Sequence, residues 1–371
     1  MGDVILLTGA TGQIGTALVP RLVRDPAARV LALVRARDAA HLDARRRELA
    51  ERTGAPLERV ELVRGDVTLP GLGLSPEDRA RVESEVTAIL HAAASVRFDL
   101  PPQQAAADNL GATQSVLELA EALHRRGRLT RLDHVSTAYV AGTTRARFRE
   151  TDLDVGQGFR NSYEWSKQQS ELKVQEARAR GLPVSIHRPS IVVGESGTGR
   201  TRAFNVLYWP LKLYVRGWWR TFPGEPSTLV DIVPVDWVAE AMVHIRARPD
   251  TLGKTFHLAA GEDARPVSEL AARIAQITGG PPVRYIDQRL YKRFGRPLVT
   301  PFLALTRRGR AILRGGEAYM PYFVGNPLFD TTHARAALGP AGGPPPILEY
   351  LERIVRFATE EDFGDASRSA S

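Results

Sequence analysis

The chain has 371 residues, 43% hydrophobic and 25% charged, which suits a globular protein with one α/β domain and a smaller lobe. It has no cysteine, so disulfides, thiolate catalysis and cysteine-based zinc sites are excluded. Its net charge is +8, but the arginines responsible are spread along the chain. We therefore expect an anionic small molecule or partner and no nucleic acid.

Two further classes of feature are not expected. The eight histidines lack the spacing of metal ligands, so no metal site is predicted. No apolar run reaches about 18 residues, so no transmembrane helix is predicted. The first predicted strand begins at Val4, and no basic stretch followed by an apolar stretch, as in a signal peptide, stands before it. This pattern favours a cytoplasmic protein without a signal peptide.

The first predicted strand, residues 4–7, runs into Gly9, Gly12 and Gly15 and then into a helical pattern. Glycines at this place let the backbone close tightly and approach a pyrophosphate, which binds the free N–H groups of the helix N-terminus. The spacing GxxGxxG is looser than GxGxxG, and an ordinary strand-to-helix turn is the alternative. The strand before and the helix after favour a nucleotide site.

The second predicted strand, residues 29–34, is followed by Arg35 and Arg37. At this place an acidic residue suits the 2′-hydroxyl of NAD, whereas an arginine suits the 2′-phosphate of NADP. The two arginines therefore favour NADP, although ordinary surface arginines would look the same. The third strand ends near Asp66, whose carboxylate could accept a hydrogen bond from the adenine amino group.

Side chains with catalytic potential follow the fifth predicted strand, where Ser136 and Thr137 lie at its carboxyl end. In an open parallel sheet that end faces the ligand crevice, although a hydroxyl there can also simply cap a turn. The next predicted helix carries Tyr163 and Lys167, which share one face because they are four residues apart.

Residues 203–222 contain Trp209, Trp218 and Trp219. Such an aromatic stretch is typical of a core or an inter-helix seam, and the functional alternatives are the wall of an acyl channel and a lid that touches a membrane. Residues 288–315 are predicted to be helical and basic. Residues 364–371 are predicted to be a disordered tail.

Four segments, TGATGQIG, HVSTAYV, YEWSK and HRPSIVVGE, resemble motifs of the extended short-chain dehydrogenase/reductases. Within that family, HAAASVRFD, HRPSIVVGESGTG and FPGEPSTLVDIVPVDWVAEAM resemble the fatty acyl-CoA reductases and the thioester-reductase domains of carrier-protein enzymes. The resemblance is dense over residues 3–260 and thinner beyond.

The resemblance implies an α/β fold, a Rossmann-type doubly wound parallel sheet with a smaller, mainly helical C-terminal substrate lobe. Residues 1–195 would form the NADP-binding domain, with residues 228–260 returning to it. Residues 196–227 and 261–363 would form the substrate-binding lobe.

The resemblance also implies a role for each matching residue. Thr137 corresponds to the catalytic hydroxyl, with Ser136 as the alternative, Tyr163 to the general acid and Lys167 to its partner, which would lower the pKa of Tyr163. The residues expected to bind the cofactor are Gly9, Thr11, Gly12, Gln13, Ile14, Gly15, Arg35, Arg37, Asp66, Val67, Ala92, Ala93, Ala94, Asn109, Lys167, Pro189 and Ile191.

The implied reaction is NADPH-dependent reduction of a fatty acyl thioester, on CoA or on acyl carrier protein, to an aldehyde and then an alcohol. A nucleotide-sugar epimerase or dehydratase is one alternative, but it would more naturally carry an acidic residue at Arg35 and a polar sugar pocket. A non-catalytic NADP-binding sensor is another, but such proteins typically lose the Tyr–Lys pair. Peripheral membrane contact and the oligomeric state stay open.

Overall fold

A parallel sheet of seven strands forms the centre of the fold in a computed structural model that describes residues 2–56 and 58–365. Its strands are almost continuously apolar, which is typical of a parallel sheet covered on both faces. Their bounds are β1 (Val4–Thr8), β2 (Arg29–Val34), β3 (Val60–Arg64), β4 (Ala88–His91), β5 (Arg131–Val135), β6 (Val184–Pro189) and, later in the chain, β11 (Thr255–Leu258).

The spatial order of these strands is β11-β6-β5-β4-β1-β2-β3. The chain winds from β1 outward to β3, then crosses back and winds from β4 outward in the other direction. The switch therefore lies between β1 and β4, which pair in parallel from Ile5 with Ala88 to Thr8 with His91. Ligands of such sheets bind at this switch, outside the carboxyl ends of the strands. The predicted doubly wound α/β fold is confirmed.

Helices cover both faces of the sheet. On one face α1 (Gln13–Leu22) and α8 (Val235–Arg246) pack together around Leu18 and Met242. On the other face α5 (Ala112–Arg125) and α6 (Ser162–Ala179) bury Leu119 and Val174. The helices of the chain are α1 (Gln13–Leu22), α2 (Ala39–Thr53), α3 (Pro76–Glu85), α4 (Pro102–Ala106), α5 (Ala112–Arg125), α6 (Ser162–Ala179), α7 (Tyr208–Val215), α8 (Val235–Arg246), α9 (Val267–Thr278), α10 (Gln288–Leu290), α11 (Arg296–Ala304), α12 (Arg307–Tyr319), α13 (Thr332–Leu338) and α14 (Ile347–Glu360).

A separate hydrophobic cluster holds the C-terminal helices beside the sheet, and its largest members include Tyr208, Phe222, Tyr322 and Tyr350. Three short two-stranded ladders border this cluster. They pair β7 (Ile191–Val193) with β10 (Ile232–Pro234), β8 (Thr221–Pro223) with β13 (Arg284–Ile286), and β9 (Leu229–Val230) with β12 (Arg265–Pro266).

Three segments contain local breaks. Residues 184–193 form two strands separated at Ser190, because β6 pairs in the main sheet whereas β7 pairs with β10. The helical segment at residues 102–125 contains a π turn at Ala107–Gly111. Residues 288–315 are helical, as predicted, but they form three helices with a π turn at Tyr291–Gly295.

The last described residue belongs to the folded chain. The Asp365 carboxylate accepts hydrogen bonds from Lys212 at 2.7 Å and Arg216 at 2.9 Å. The rest of the predicted tail, residues 366–371, lies outside the described residues. Within residues 2–56 and 58–365, every helix is too short or too polar to cross a membrane.

Candidate active site

The glycine loop closes tightly between β1 and α1. Gly9 has a φ of +76°, and a Cβ there would lie 2.6 Å from the Ala93 nitrogen. A Cβ at Gly15 would lie 2.0 Å from the Gly9 oxygen. Both positions therefore need glycine, because the loop and the end of β4 approach backbone to backbone.

The start of α1 offers backbone donors. Gly12 occupies the N-cap position, has extended backbone and supplies no capping side chain, so the first N–H groups of α1 are available to an anion. Gln13 holds this end of the helix in place, because its amide donates to the Val193 oxygen at 3.0 Å. Thr11 and Ile14 are partly buried beside it. These features fit the pyrophosphate of a dinucleotide.

The residues predicted to bind the adenosine part of the cofactor lie just beyond β2 and β3. Arg35 and Arg37 are both exposed directly after β2, where a 2′-phosphate would be recognised. Asp66 and Val67 are partly buried after β3. One Asp66 oxygen already accepts from the Thr68 backbone at 3.0 Å and the Thr68 hydroxyl at 2.8 Å, so only part of this carboxylate is available to an adenine.

The end of β4 forms the floor of the crevice. The Thr8 hydroxyl lies 2.7 Å from His91 Nδ1 and accepts from the Ala93 nitrogen at 3.3 Å. Ala92 and Ala93 are partly buried, and Ala94 is exposed. Small side chains here leave the switch point open between β1 and β4. Burial lowers the pKa of His91 to about 3, so this imidazole is neutral.

Thr137 and Tyr163 meet at the carboxyl end of β5. The Thr137 hydroxyl accepts from the Tyr139 nitrogen at 3.2 Å and donates to the Pro189 oxygen at 3.4 Å. Burial raises the pKa of Tyr163 to about 12, while a hydrogen bond with Thr137 acts in the opposite direction. The pKa of Tyr163 is thus shifted upward, opposite to the lowering predicted from Lys167, because burial of the phenol is the largest effect.

Lys167 lies one helical turn after Tyr163 and is 2% exposed. Its Nζ donates to the Val135 oxygen at 2.8 Å, which anchors α6 to the end of β5. Burial lowers its pKa to about 8, and the nearby Glu171 carboxylate opposes that shift. The helix thus presents a phenol and an ammonium side by side.

The remaining predicted residues surround this pair. Ser136 is buried, and among the described residues its hydroxyl has no hydrogen-bond partner, so Thr137 is the better-connected of the two hydroxyls. Asn109 lies in the π turn, where its amide contacts the Ser95 backbone and the Ser166 hydroxyl at 2.8–3.1 Å. It therefore holds the loop after β4 against α6. Pro189 ends β6, and Ile191 is buried in β7.

Aromatic rings lead away from Tyr163. The Phe98 ring centroid lies 5.3 Å from that of Tyr163 and 5.6 Å from that of Tyr319. The Tyr319 ring in turn lies 6.2 Å from Trp209, one wall of a cavity of about 870 Å³. Much of the lining is apolar, including Trp219, Val299, Leu303, Leu313, Met320 and Val324.

Phe98 and Tyr319 were not predicted as site residues. Phe98 follows the small residues of β4 in a segment with no helix or strand pattern. Tyr319 lies 156 positions after Tyr163 in the sequence. Their contacts come from the packing of the C-terminal helices, for which spacing along the chain gives no signal. Within the described parts of the chain, no group of three or more His, Asp or Glu side chains could hold a metal ion.

Comparison with known families shows to which family the chain belongs. The family described as "male sterility protein", an NAD-binding family, matches residues 7–242. The chain belongs to this family. The predicted membership of the fatty acyl-CoA reductase and thioester reductase branch is confirmed, and this is a family of NAD(P)-dependent thioester reductases.

Two relatives illustrate the range of the family. The chain is 29% identical over 278 residues to the fatty acyl-CoA reductase wat of Drosophila melanogaster, covering 64% of this chain and 53% of that protein. It is 30% identical over 268 residues to the glycine betaine reductase ATRR of Emericella nidulans, covering 68% of this chain and 21% of that protein. The chain thus spans about half of the first protein and a fifth of the second.

Solved structures agree over nearly the whole chain. The terminal R domain from the myxalamid PKS-NRPS biosynthetic pathway is 29% identical and superposes with a TM-score of 0.84, covering 97% of this chain and 91% of that domain. The UDP-glucuronic acid 4-epimerase from Bacillus cereus is 17% identical with a TM-score of 0.67, covering 98% of this chain and 99% of that enzyme. The second likeness shows the fold alone.

Proposed function

We propose that this protein reduces a fatty acyl thioester, carried on CoA or on an acyl carrier protein, with NADPH as the reductant. The observation that carries the proposal is the position of Tyr163 beside Thr137, one turn from Lys167 and linked through Phe98 to a large apolar cavity. The relatives are named as reductases of acyl-CoA or as terminal reductase domains, which supports the same chemistry.

NADPH, when bound, supplies the hydride. The glycine loop and the first N–H groups of α1 fit its pyrophosphate, and Arg35, with Arg37 beside it, supports the preference for a 2′-phosphate. We place Asp66, Val67, Ala92, Ala93, Ala94, Pro189 and Ile191 along the same crevice.

The carbonyl oxygen of the thioester would accept hydrogen bonds from Tyr163 and Thr137. Negative charge develops on that oxygen during reduction, so two donors aimed at it stabilise the transition state. A phenol whose pKa is raised to about 12 holds its proton at neutral pH and can transfer it to the oxygen. Lys167 contributes a positive charge one turn away.

The immediate product is a hemithioacetal, which collapses to an aldehyde and a free thiol. A second reduction of the aldehyde would give the alcohol. The acyl chain would occupy the cavity lined by Trp209 and Trp219, so we assign residues 196–227 and 261–363 to the substrate lobe and residues 1–195 and 228–260 to cofactor binding. The absence of cysteine fits a cytoplasmic enzyme.

The test follows NADPH oxidation with a panel of acyl-CoA and acyl carrier protein thioesters, a nucleotide sugar, and no substrate, with products identified by mass. We expect oxidation only with the thioesters. Tyr163→Phe should lower turnover by roughly 100-fold or more. The matched control is Tyr214→Phe, whose hydroxyl also makes a hydrogen bond, to the Pro281 oxygen at 2.6 Å.

Three results would contradict the proposal. Full thioester reduction by Tyr163→Phe would remove the phenol from the mechanism. Turnover of the nucleotide sugar would favour the epimerase alternative, and NADPH binding without turnover of any substrate would favour the sensor.

A further inference from the structure

An exposed apolar stripe runs along α10, α11 and the turn between them. Leu290, Phe294, Leu298, Phe302 and Leu305 are 57%, 57%, 69%, 74% and 78% exposed. They recur every three or four residues, so they lie along one side of the helical segment, over about 20 Å at 1.5 Å per residue. Single exposed apolar residues are ordinary, but a contiguous run of this kind marks an interaction surface.

The same segment is strongly basic. Residues 288–316 contain eight lysines and arginines and no aspartate or glutamate, whereas the chain's 42 acidic residues would average about three in such a length. Arg293, Arg307 and Arg310 are exposed, and the Arg293 guanidinium lies 5.4 Å above the Phe294 ring. The apolar stripe is therefore bordered by positive charge, which is complementary to an anionic surface.

The apolar stripe is not needed to fill the interior. The opposite side of α11 already faces the large cavity through Val299 and Leu303, and the neighbouring α12 adds Ile312 and Leu313 to its lining. Helices α11 and α12 pack closely together, since a Cβ at Gly309 would lie 2.0 Å from the Leu303 oxygen. The segment thus has one side turned to the cavity and another side turned outward.

We propose that the apolar stripe docks this protein on an anionic lipid surface. The phenylalanine and leucine side chains would enter the interface while the neighbouring arginines bind the head groups, the division typical of helices that lie on a membrane. A lipid surface is the favoured occupant because the stripe is apolar over about 20 Å and is bordered by basic residues, with no aspartate or glutamate in residues 288–316. Lipid binding needs no substrate, so it can succeed or fail independently of the proposed reaction.

The first experiment is flotation of the full chain with phosphatidylcholine vesicles, with and without phosphatidylglycerol at about 30%. We expect binding to the anionic vesicles only, and weaker binding at high salt. The double substitution Phe302→Ser with Leu305→Ser should weaken binding at least about tenfold. Its control, Val155→Ser with Leu252→Ser, changes residues that are 53% and 38% exposed elsewhere and should bind like the wild type.

The second experiment tests the charge. Arg307→Gln with Arg310→Gln should weaken binding roughly tenfold or more, whereas Arg125→Gln with Arg126→Gln removes the same charge from another exposed site and should have a small effect. An unchanged unfolding temperature verifies that each variant is folded.

Four outcomes would overturn the proposal. The first two are no binding to anionic vesicles and equal binding by the apolar-stripe and control variants. A third is a change of oligomeric state in the apolar-stripe variants, which would make a second copy the occupant. A fourth is that these variants lose binding to an acidic acyl carrier protein but keep vesicle binding, which would assign the apolar stripe to a protein partner.

Discussion

Gly9→Ala tests whether the glycine loop is as tight as its geometry requires. A Cβ at this position would lie 2.6–2.7 Å from backbone atoms of Ala92 and Ala93, which belong to the loop leaving β4 and cannot rotate away. The residue also has a φ of +76°, where any side chain is strained. The left-handed conformation costs about 1–2 kcal/mol and the overlap about 1–3 kcal/mol more. We therefore expect a loss of about 2–5 kcal/mol in the free energy of unfolding.

Gly279→Ala is the matched control. Gly279 has a φ of +65° at the end of α9, but apart from Gly279 itself and its two chain neighbours, no atom of the described residues lies within 4 Å of the place that a Cβ would take there. The substitution should cost only the backbone strain, about 1–2 kcal/mol. The difference between the two variants then isolates the contact between the loop and the end of β4.

The assay is denaturant unfolding, compared where the slope against denaturant is unchanged, together with NADPH binding by fluorescence. Gly9→Ala should also bind NADPH at least about tenfold more weakly, because the loop must move to make room for the methyl group. Gly279→Ala should bind it like the wild type. Equal destabilisation by the two variants, with equal NADPH affinity, would refute the tight-loop reasoning.

Two further predictions concern charged residues of the site. Lys167 loses its charge as pH rises through its pKa of about 8, so turnover should fall on that alkaline side. Lys167→Arg keeps the charge, so its alkaline fall in turnover should move beyond the measured pH range. A wild-type turnover that stays level through pH 8 would contradict the role of the Lys167 charge in turnover. Arg35→Ala should raise KM for NADPH about tenfold or more and leave KM for NADH nearly unchanged. Arg37→Ala, measured in the same way, shows how much the neighbouring arginine contributes to NADPH binding. Equal effects of Arg35→Ala on KM for NADPH and KM for NADH would exclude a contact between Arg35 and the 2′-phosphate.

The sheet and the glycine loop could be predicted from the sequence because their signals are local. An apolar strand, three glycines and a helical pattern are contiguous, and the Tyr163–Lys167 spacing fixes a common helical face wherever the helix lies. The position of Tyr163 beside Thr137 then depends on the order of the elements, which the family resemblance supplied.

Other features depend on packing between distant segments. The short strand β7 after Ser190 forms because β10, some 40 residues later, pairs with it outside the main sheet. Phe98 becomes part of the site only because Tyr319 and Tyr322 of the C-terminal region pack against it. Burial is likewise a tertiary property, and for this reason the direction of the Tyr163 pKa shift was predicted wrongly.

That upward shift bears on how each direction of the reaction depends on pH. Reduction of a carbonyl needs a proton donor, whereas oxidation of an alcohol in the same site needs the phenolate as a base. With the pKa of Tyr163 at about 12, the phenol is the main form at neutral pH, so the resting enzyme already has the protonation state that reduction needs, whereas oxidation starts from the scarce phenolate. Alcohol oxidation with NADP⁺ should therefore rise with pH until Lys167 loses its charge near pH 8, while reduction stays level below that pH. Because reduction takes up a proton, the ratio of the two rates must change with pH in any case. A reduction rate that falls with rising pH below pH 8 while oxidation stays level would contradict this reasoning, because it would mean that Tyr163 is already ionised there.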